Sequence, residues 1–192
     1  MRSHRWTLIT APTWEPITLA EAKDHLRVDH TGEDAIIDNL IVAARQYLEG
    51  LLGRGIPQQT MTAYYSTFWD LMELPRAAPL RSVSSLKYLD SDGAEQTAST
   101  DLYDVFAAPE PGEVRRAYNQ SWPSHRVVTD PVYLTYVCGW PSAAQIPAPI
   151  RQAMLLLIGH WYENRETTSP ISVGDVPCTV PALVAAYRVS WL

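Results

Sequence analysis

Apolar residues recur at three- and four-residue intervals in two stretches of this chain, and alternate with polar ones in between. The first stretch opens at Thr18. Thr18-Leu19-Ala20-Glu21 has the T-x-x-E form of a capping box, in which a hydroxyl and a carboxylate satisfy the free N–H groups of a helix start. Leu19, Ala22 and Leu26 then share one face, while Glu21, Lys23 and Asp24 turn to water. The spacing predicts a helix over residues 18–28. "DHTGED" reads as a turn. Beyond it, Ile37, Leu40, Ile41, Ala44, Leu48 and Leu51 predict a second helix over 33–52. Asp38, Asn39, Arg45, Gln46 and Glu49 are expected mostly on its wet side. Gly53 and Gly55 stop it, with Pro57 just beyond.

From residue 59 to 140 the helical period is lost. "TMTAYYSTF" alternates β-branched and aromatic residues, as a strand does. "SVSSLKYLDSDGAEQTAS" sets Asp92-Gly93 between two short extended runs, the chain's strongest hairpin signal. "DLYDVFAAP" and "VYLTYVCGW" predict two more strands, and "PEPGEVRRAYNQSWPSHR" between them reads as a polar loop. Prolines punctuate the region. The expectation is a small antiparallel sheet inserted between helices.

The helical period returns in "PAPIRQAMLLLIGHWYENRE", which predicts a helix over 149–166 with Pro149 in its first turn. Ile150, Met154, Leu157, Ile158 and Trp161 make one face. Leu155 and Leu156 fall outside it, so the helix is too apolar for a single buried stripe. Leu155, Leu156 and Trp161 are therefore candidate subunit contacts. A weakly charged tail, 167–192, follows, with a short helix expected at 181–187. The fold class is α+β, mainly α. Two N-terminal helices and one long late helix form a bundle that carries a small antiparallel β insert. Residues 1–16 make an arm, 17–166 a single domain and 167–192 an extended tail.

Composition narrows the function. With 46% hydrophobic and 19% charged residues, 192 residues suffice for a core. A net charge of −6 argues against tight nucleic-acid binding, which needs clustered Lys and Arg. Two cysteines, Cys138 and Cys178, do not make a disulfide scaffold, and a reducing compartment is expected. No apolar run is long enough to cross a membrane or to serve as a signal peptide.

No catalytic, cofactor or metal constellation assembles. His25 and His30, with Asp24, Asp29 and Asp34, cluster in sequence but straddle a helix end, which favours a solvated turn over a ligand set. His160 and Glu163 at i, i+3 provide one half of a carboxylate-bridged pair without a second copy. Cys138 lacks a nearby histidine and reads as a buried structural thiol. "GLLGRG" follows a helix rather than a strand, the wrong context for a phosphate loop.

The order of elements resembles a known family. "ITLAEAKDHLRVD", an acidic turn and "DAIIDNLIVAARQYLEGLLGR" look like the start of phage head–tail connector proteins, the adaptors that sit under the portal. "MELPRAAPLRSVSSLKYLDSDG", "VYLTYVCGW", "IPAPIRQAMLLLIGHWYENRE" and "VPALVAAYR" are similar to later segments of the same family. The resemblance runs from Ile17 to Arg188 and rests on order and spacing, not on any single motif.

It implies a structural virion protein of the neck, made in a bacterial host, with no enzymatic activity, no cofactor and no membrane. Such adaptors form a ring, commonly of about twelve copies. The ring docks on the portal protein, extends the DNA channel without reading sequence, and receives a head-completion or tail protein. A C-terminal segment grips the portal. Here that segment would present Val180, Leu183, Val184, Tyr187, Arg188, Trp191 and Leu192, although the short helix fits its own subunit equally well. A phage, a prophage or a gene transfer particle could carry such a protein. Rival readings are another neck position, such as a stopper or tail-completion protein, and a small soluble enzyme around His160, Glu163 and Arg165.

Overall fold

The computed structural model describes residues 5–108, 110–164 and 179–189. The chain divides into two compact units, one of residues 1–12 and 58–140, the other of residues 13–57 and 141–192.

The first unit is built of strands. β1 (Arg5–Thr10), β2 (Gln59–Tyr65), β8 (Val132–Cys138), β4 (Leu80–Leu89) and β5 (Glu95–Thr97) form one antiparallel sheet in the order β1-β2-β8-β4-β5. β3 (Leu71–Glu73), β7 (Glu113–Arg116) and β6 (Tyr103–Phe106) form a second, in the order β3-β7-β6. The alternation seen in the sequence sets the faces. Val132, Leu134, Tyr136 and Cys138 of the central strand are buried, and Tyr133, Thr135 and Val137 lie on the other side. Met61, Leu86, Met72, Tyr103 and Val114 join the first four, so both sheets share one core. Tyr65 and Tyr136 seal it by donating their hydroxyls to the carbonyls of Glu73 and Pro75.

The opposite face of the larger sheet carries a row in register across all five strands: Arg5, Tyr64, Tyr133, Lys87 and Thr97. The Arg5 guanidinium lies 4.9 Å over the Tyr64 ring, and Tyr64 sits 6.2 Å from Tyr133. Tyr133 and Lys87 both donate to Glu95. The hairpin falls where Asp92-Gly93 predicts it. Gly93 takes φ 89°, and the Asp90 carboxylate accepts from the Asp92 and Ala94 N–H groups.

The second unit is helical. α1 (Leu19–Leu26) starts at Thr18, whose hydroxyl accepts from the Glu21 N–H at 3.2 Å while Glu21 accepts from the Thr18 N–H at 2.9 Å. α2 (Asp34–Leu52) ends at left-handed Gly53. α3 (Ala148–Glu163) and α4 (Thr179–Val184) complete the set. α2 packs on α3, α1 on both, and α4 on α3.

Four expectations change. The β portion is not small: eight strands among the described residues rival the helices, although the α+β class stands. The N-terminal arm contains β1, paired with β2. The stretch read as a polar loop contains β7, whose pattern is too short to register beside its prolines and glycine. Arg45 and Glu49 are buried rather than wet, because they neutralise each other on the inner face of α2.

Candidate functional site

Among the described residues, no convergent chemistry emerges where the sequence offered ligands or bases. Among the described residues, no group of three or more His, Cys, Asp or Glu could hold a metal ion. Lys23 is tied to the Asp34 carboxylate and the His30 carbonyl, both at 2.6 Å, so that turn is a brace between α1 and α2. Asp24 and Asp29 border a shallow recess with Leu19 and Val28. The His160 carbonyl caps the end of α3 by accepting from Asn164 at 3.1 Å. Arg165, its suggested partner, lies outside the described residues. Cys138 is fully buried, its Sγ 3.7 Å from the Met61 Sδ. Cys178 is outside the described residues. No described helix is long and apolar enough to cross a membrane.

The remaining candidates are surfaces, and the helical unit is stiff enough to present them. Arg151 of α3 donates to Glu21 of α1, and Tyr162 of α3 to Glu33 beside the start of α2. Tyr47 of α2 meets Trp161 of α3 edge-on at 5.9 Å. Arg45 bridges Glu49 on its own helix and Glu15 upstream, at 3.2 and 2.7 Å. Burial works against the Arg45 charge, but the two carboxylates outweigh it and raise its pKa.

The proposed subunit contacts Leu155, Leu156 and Trp161 are each half-buried on α3. The tail candidates separate into two groups. Val180 and Val184 are buried within their own chain, as is Val189, whose N–H donates to the Leu52 carbonyl at 2.8 Å. Leu183 and Arg188 are exposed and Tyr187 is half-exposed. Trp191 and Leu192 lie outside the described residues. The short helix thus folds back on its subunit, one of the two outcomes the sequence left open. The two valines sit four apart on a one-face stripe, which is the signal for it.

Sequence reasoning missed two surfaces. Ile36 and Tyr47 on α2 are exposed, and so are Trp6, Leu8 and Ile9 on β1. For α2, the 36–40–43–47 spacing carries the signal, masked by a second apolar stripe alongside.

Residues 16–76 match the family model of the phage gp6-like head-tail connector protein. That match coincides with the opening segments that carry the head–tail connector resemblance. The connector segment spans α1, α2, β2 and β3, so it draws on both units. Among solved structures, a chain from the neck of an empty gene transfer agent (GTA) particle, determined with C6 symmetry, is 23% identical. The match covers 98% of this chain and 97% of that one, with a TM-score of 0.81. A chain from the virion of a native gene transfer agent particle is also 23% identical, over 97% and 96%, with a TM-score of 0.80. A chain from the neck of a native particle with C12 symmetry is 22% identical, over 98% and 97%, with a TM-score of 0.78. At this identity the likeness shows the fold, which this chain shares with these three over nearly its whole length. No curated protein matches.

Proposed function

We propose that this protein is a structural head–tail connector: an adaptor subunit in the neck of a phage, prophage or gene transfer particle. The observation that carries the reading is the coincidence of a connector signature in residues 16–76 with near-full-length likeness of fold to GTA neck chains. On this reading the copies form a ring, of about twelve, under the portal protein. The ring extends the DNA channel and receives a head-completion or tail protein. Residues 17–166 are the connector domain, with α1, α2 and α3 as its helical bundle, residues 1–16 as its arm and 167–192 as its tail.

The chemistry agrees with a scaffold. Among the buried charged groups, Arg45 and Glu49 are engaged with each other and Glu113 with Arg115, and a net charge of −6 suits a wall past which DNA must slide without sticking. The tail serves the portal through what it leaves uncovered, Leu183, Tyr187 and Arg188, together with Trp191 and Leu192, while Val180 and Val184 anchor it at home. Leu155, Leu156 and Trp161 are offered to neighbouring subunits.

Heads assembled without this protein should be packaged but tailless, and adding the purified chain should restore tail joining. Electron microscopy should then place it at the portal vertex. Copies found only elsewhere in the particle would refute the role.

A further inference from the structure

We infer that the Asp90 carboxylate protects the chain's single Asp-Gly pair, Asp92-Gly93, from rearranging to isoaspartate, by holding the N–H groups of the β4–β5 turn in place.

Asp-Gly is the pair in which this rearrangement meets least resistance. The Gly93 nitrogen, on giving up its proton, attacks the Asp92 carboxyl carbon. A C–N bond forms, one carboxyl oxygen leaves as water, and a five-membered succinimide results. Water then re-enters at either ring carbonyl. Opening the ring at the side-chain carbonyl restores aspartate. Opening it at the main-chain carbonyl leaves Gly93 attached through the side chain, which is isoaspartate. The water lost is regained, so no oxidant or other reactant is required. Gly93 has no Cβ to shield its nitrogen, and Asp92 is exposed to water.

The fold cannot dispense with the glycine. Gly93 takes φ 89°, a region that L residues rarely adopt. It does so in a three-residue hairpin loop, closed by the Asp90 N–H donating to the Ala94 carbonyl at 2.9 Å and the Gly93 N–H to the Asp90 carbonyl at 3.0 Å. A reactive pair is thus built into the hairpin that joins β4 to β5.

The same turn holds the reaction back. The nucleophile itself, the Gly93 nitrogen, is committed to the Asp90 carbonyl. On either side of it, the Asp92 and Ala94 N–H groups donate to one oxygen of the Asp90 carboxylate, at 3.0 and 2.9 Å. The other oxygen accepts from the Gln96 side chain at 2.8 Å, which fixes the carboxylate from the far strand. Ring closure requires the Gly93 nitrogen to swing toward the Asp92 side chain. That rotation breaks the Gly93 hydrogen bond and pulls on both N–H groups that Asp90 holds, so the turn must open first.

Isoaspartate would disturb more than the turn. It puts an extra carbon into the main chain beside the residues that set the β4–β5 register, Leu89 with Glu95 and Lys87 with Thr97. Glu95 is the acceptor that Tyr133 and Lys87 share, so a slip there would undo the row on the outer face. On the connector reading, each copy is made once and must last as long as its particle.

Ageing the purified chain tests the protection. Wild type and variants are incubated in neutral buffer below their melting temperatures, and isoaspartate at residue 92 is measured by peptide mass spectrometry. Folded wild type should form it far more slowly than the same chain unfolded in guanidinium. Asp90→Ala removes the acceptor of the Asp92 and Ala94 N–H groups and should form it about five-fold faster, or more, than folded wild type. Asp90→Asn keeps an oxygen for both groups and should stay near wild type. Lys87→Ala removes the Glu95 ion pair but no turn hydrogen bond, and should also stay near it. Should Asp90→Ala fail to fold, Asp90→Glu, whose oxygens sit one methylene further out, takes its place with the same expectation. Folded wild type reacting as fast as the unfolded chain, or no acceleration when the carboxylate is removed or displaced, would overturn the inference. So would equal acceleration by Lys87→Ala, which would assign the protection to the hairpin as a whole.

Discussion

Arg45 reaches Glu49 one helical turn away inside the helical unit, with Nη1 3.2 Å from the carboxylate. Glu49 also fixes the chain as it leaves α2, because its other oxygen accepts the Ile56 N–H at 2.9 Å. Removing Glu49 leaves the buried Arg45 with Glu15 as its carboxylate partner and takes the acceptor from the Ile56 N–H. Glu49→Ala should destabilise the protein by about 3 kcal/mol, measured by urea denaturation. Replacing both by apolar residues of similar size should cost less than Glu49→Ala alone, which a double-mutant comparison will reveal.

The tail makes a prediction that reverses a sequence-only expectation. Its low charge and terminal position suggest that Thr179–Leu192 can be removed without harm. Yet Val180, Val184 and Val189 are buried, and each buried aliphatic side chain contributes about 1.5–3 kcal/mol. Deleting residues 179–192 should lower the melting temperature sharply. Leu183→Ala, at an exposed position, should leave the melting temperature unchanged and weaken co-sedimentation with portal-bearing heads. Undiminished co-sedimentation would remove Leu183 from the portal contact.

The capping box gives a pH signature. The Glu21 carboxyl is held below its ordinary 4.5, chiefly by the Thr18 backbone N–H, against the opposing effect of burial and with help from the Thr18 hydroxyl and Arg151. A depressed carboxylate pKa contributes stability above the unfolded value, and that contribution is lost as pH falls through the folded value. Wild type should therefore melt higher than Glu21→Gln at pH 7, and the gap should close below about pH 4.5. Added salt should narrow it as well, since the side chain is partly exposed. Thr18→Ala should cost about 1 kcal/mol at neutral pH.

Alkali should act on the β unit. Burial and then Glu95 push the Tyr133 hydroxyl up to about 12, and burial holds Tyr65 and Tyr136 higher still. A raised tyrosine pKa means stability that is intact below the ordinary value of 10 and lost as pH climbs through the folded one. Tyrosinate absorbance should thus rise in two steps, exposed rings first and Tyr65 and Tyr136 only as the unit unfolds. A single step near pH 10 for all tyrosines would contradict the packing.

The hairpin supplies the last test. A Cβ added at Gly93 would meet only the movable end of Arg126, but the backbone there has φ 89°, a conformation that strains any side chain. Gly93→Ala should destabilise by about 1 kcal/mol or more, read by thermal melting.

Much of this was legible beforehand because each device was local. Thr18 with Glu21, Gly53 after α2 and Gly93 in its turn act within a few residues, and the structure places all three as read. What escaped depended on distance. β1 has meaning only through β2, some fifty residues later. Arg45 and Glu49 look wet until Glu15 and each other account for their charges. Leu40, read as part of the inner face of α2, is only half-buried, one residue round from Ile41, which is buried. The candidate contacts suffer most, because periodicity reports that a residue is apolar and not what covers it.

The two units trade the chain three times, after residues 12, 57 and 140. On the ribosome, β1 therefore emerges long before β2, and α1 and α2 wait through the whole β segment for α3. Neither unit can finish first from a continuous piece, so the nascent chain should stay open until its last third is made. The same interleaving means that no fragment cut between residues 13 and 140 contains a whole unit. On the proposed connector role, a copy truncated within residues 13–140 would lack both whole units and could not take a place in a ring.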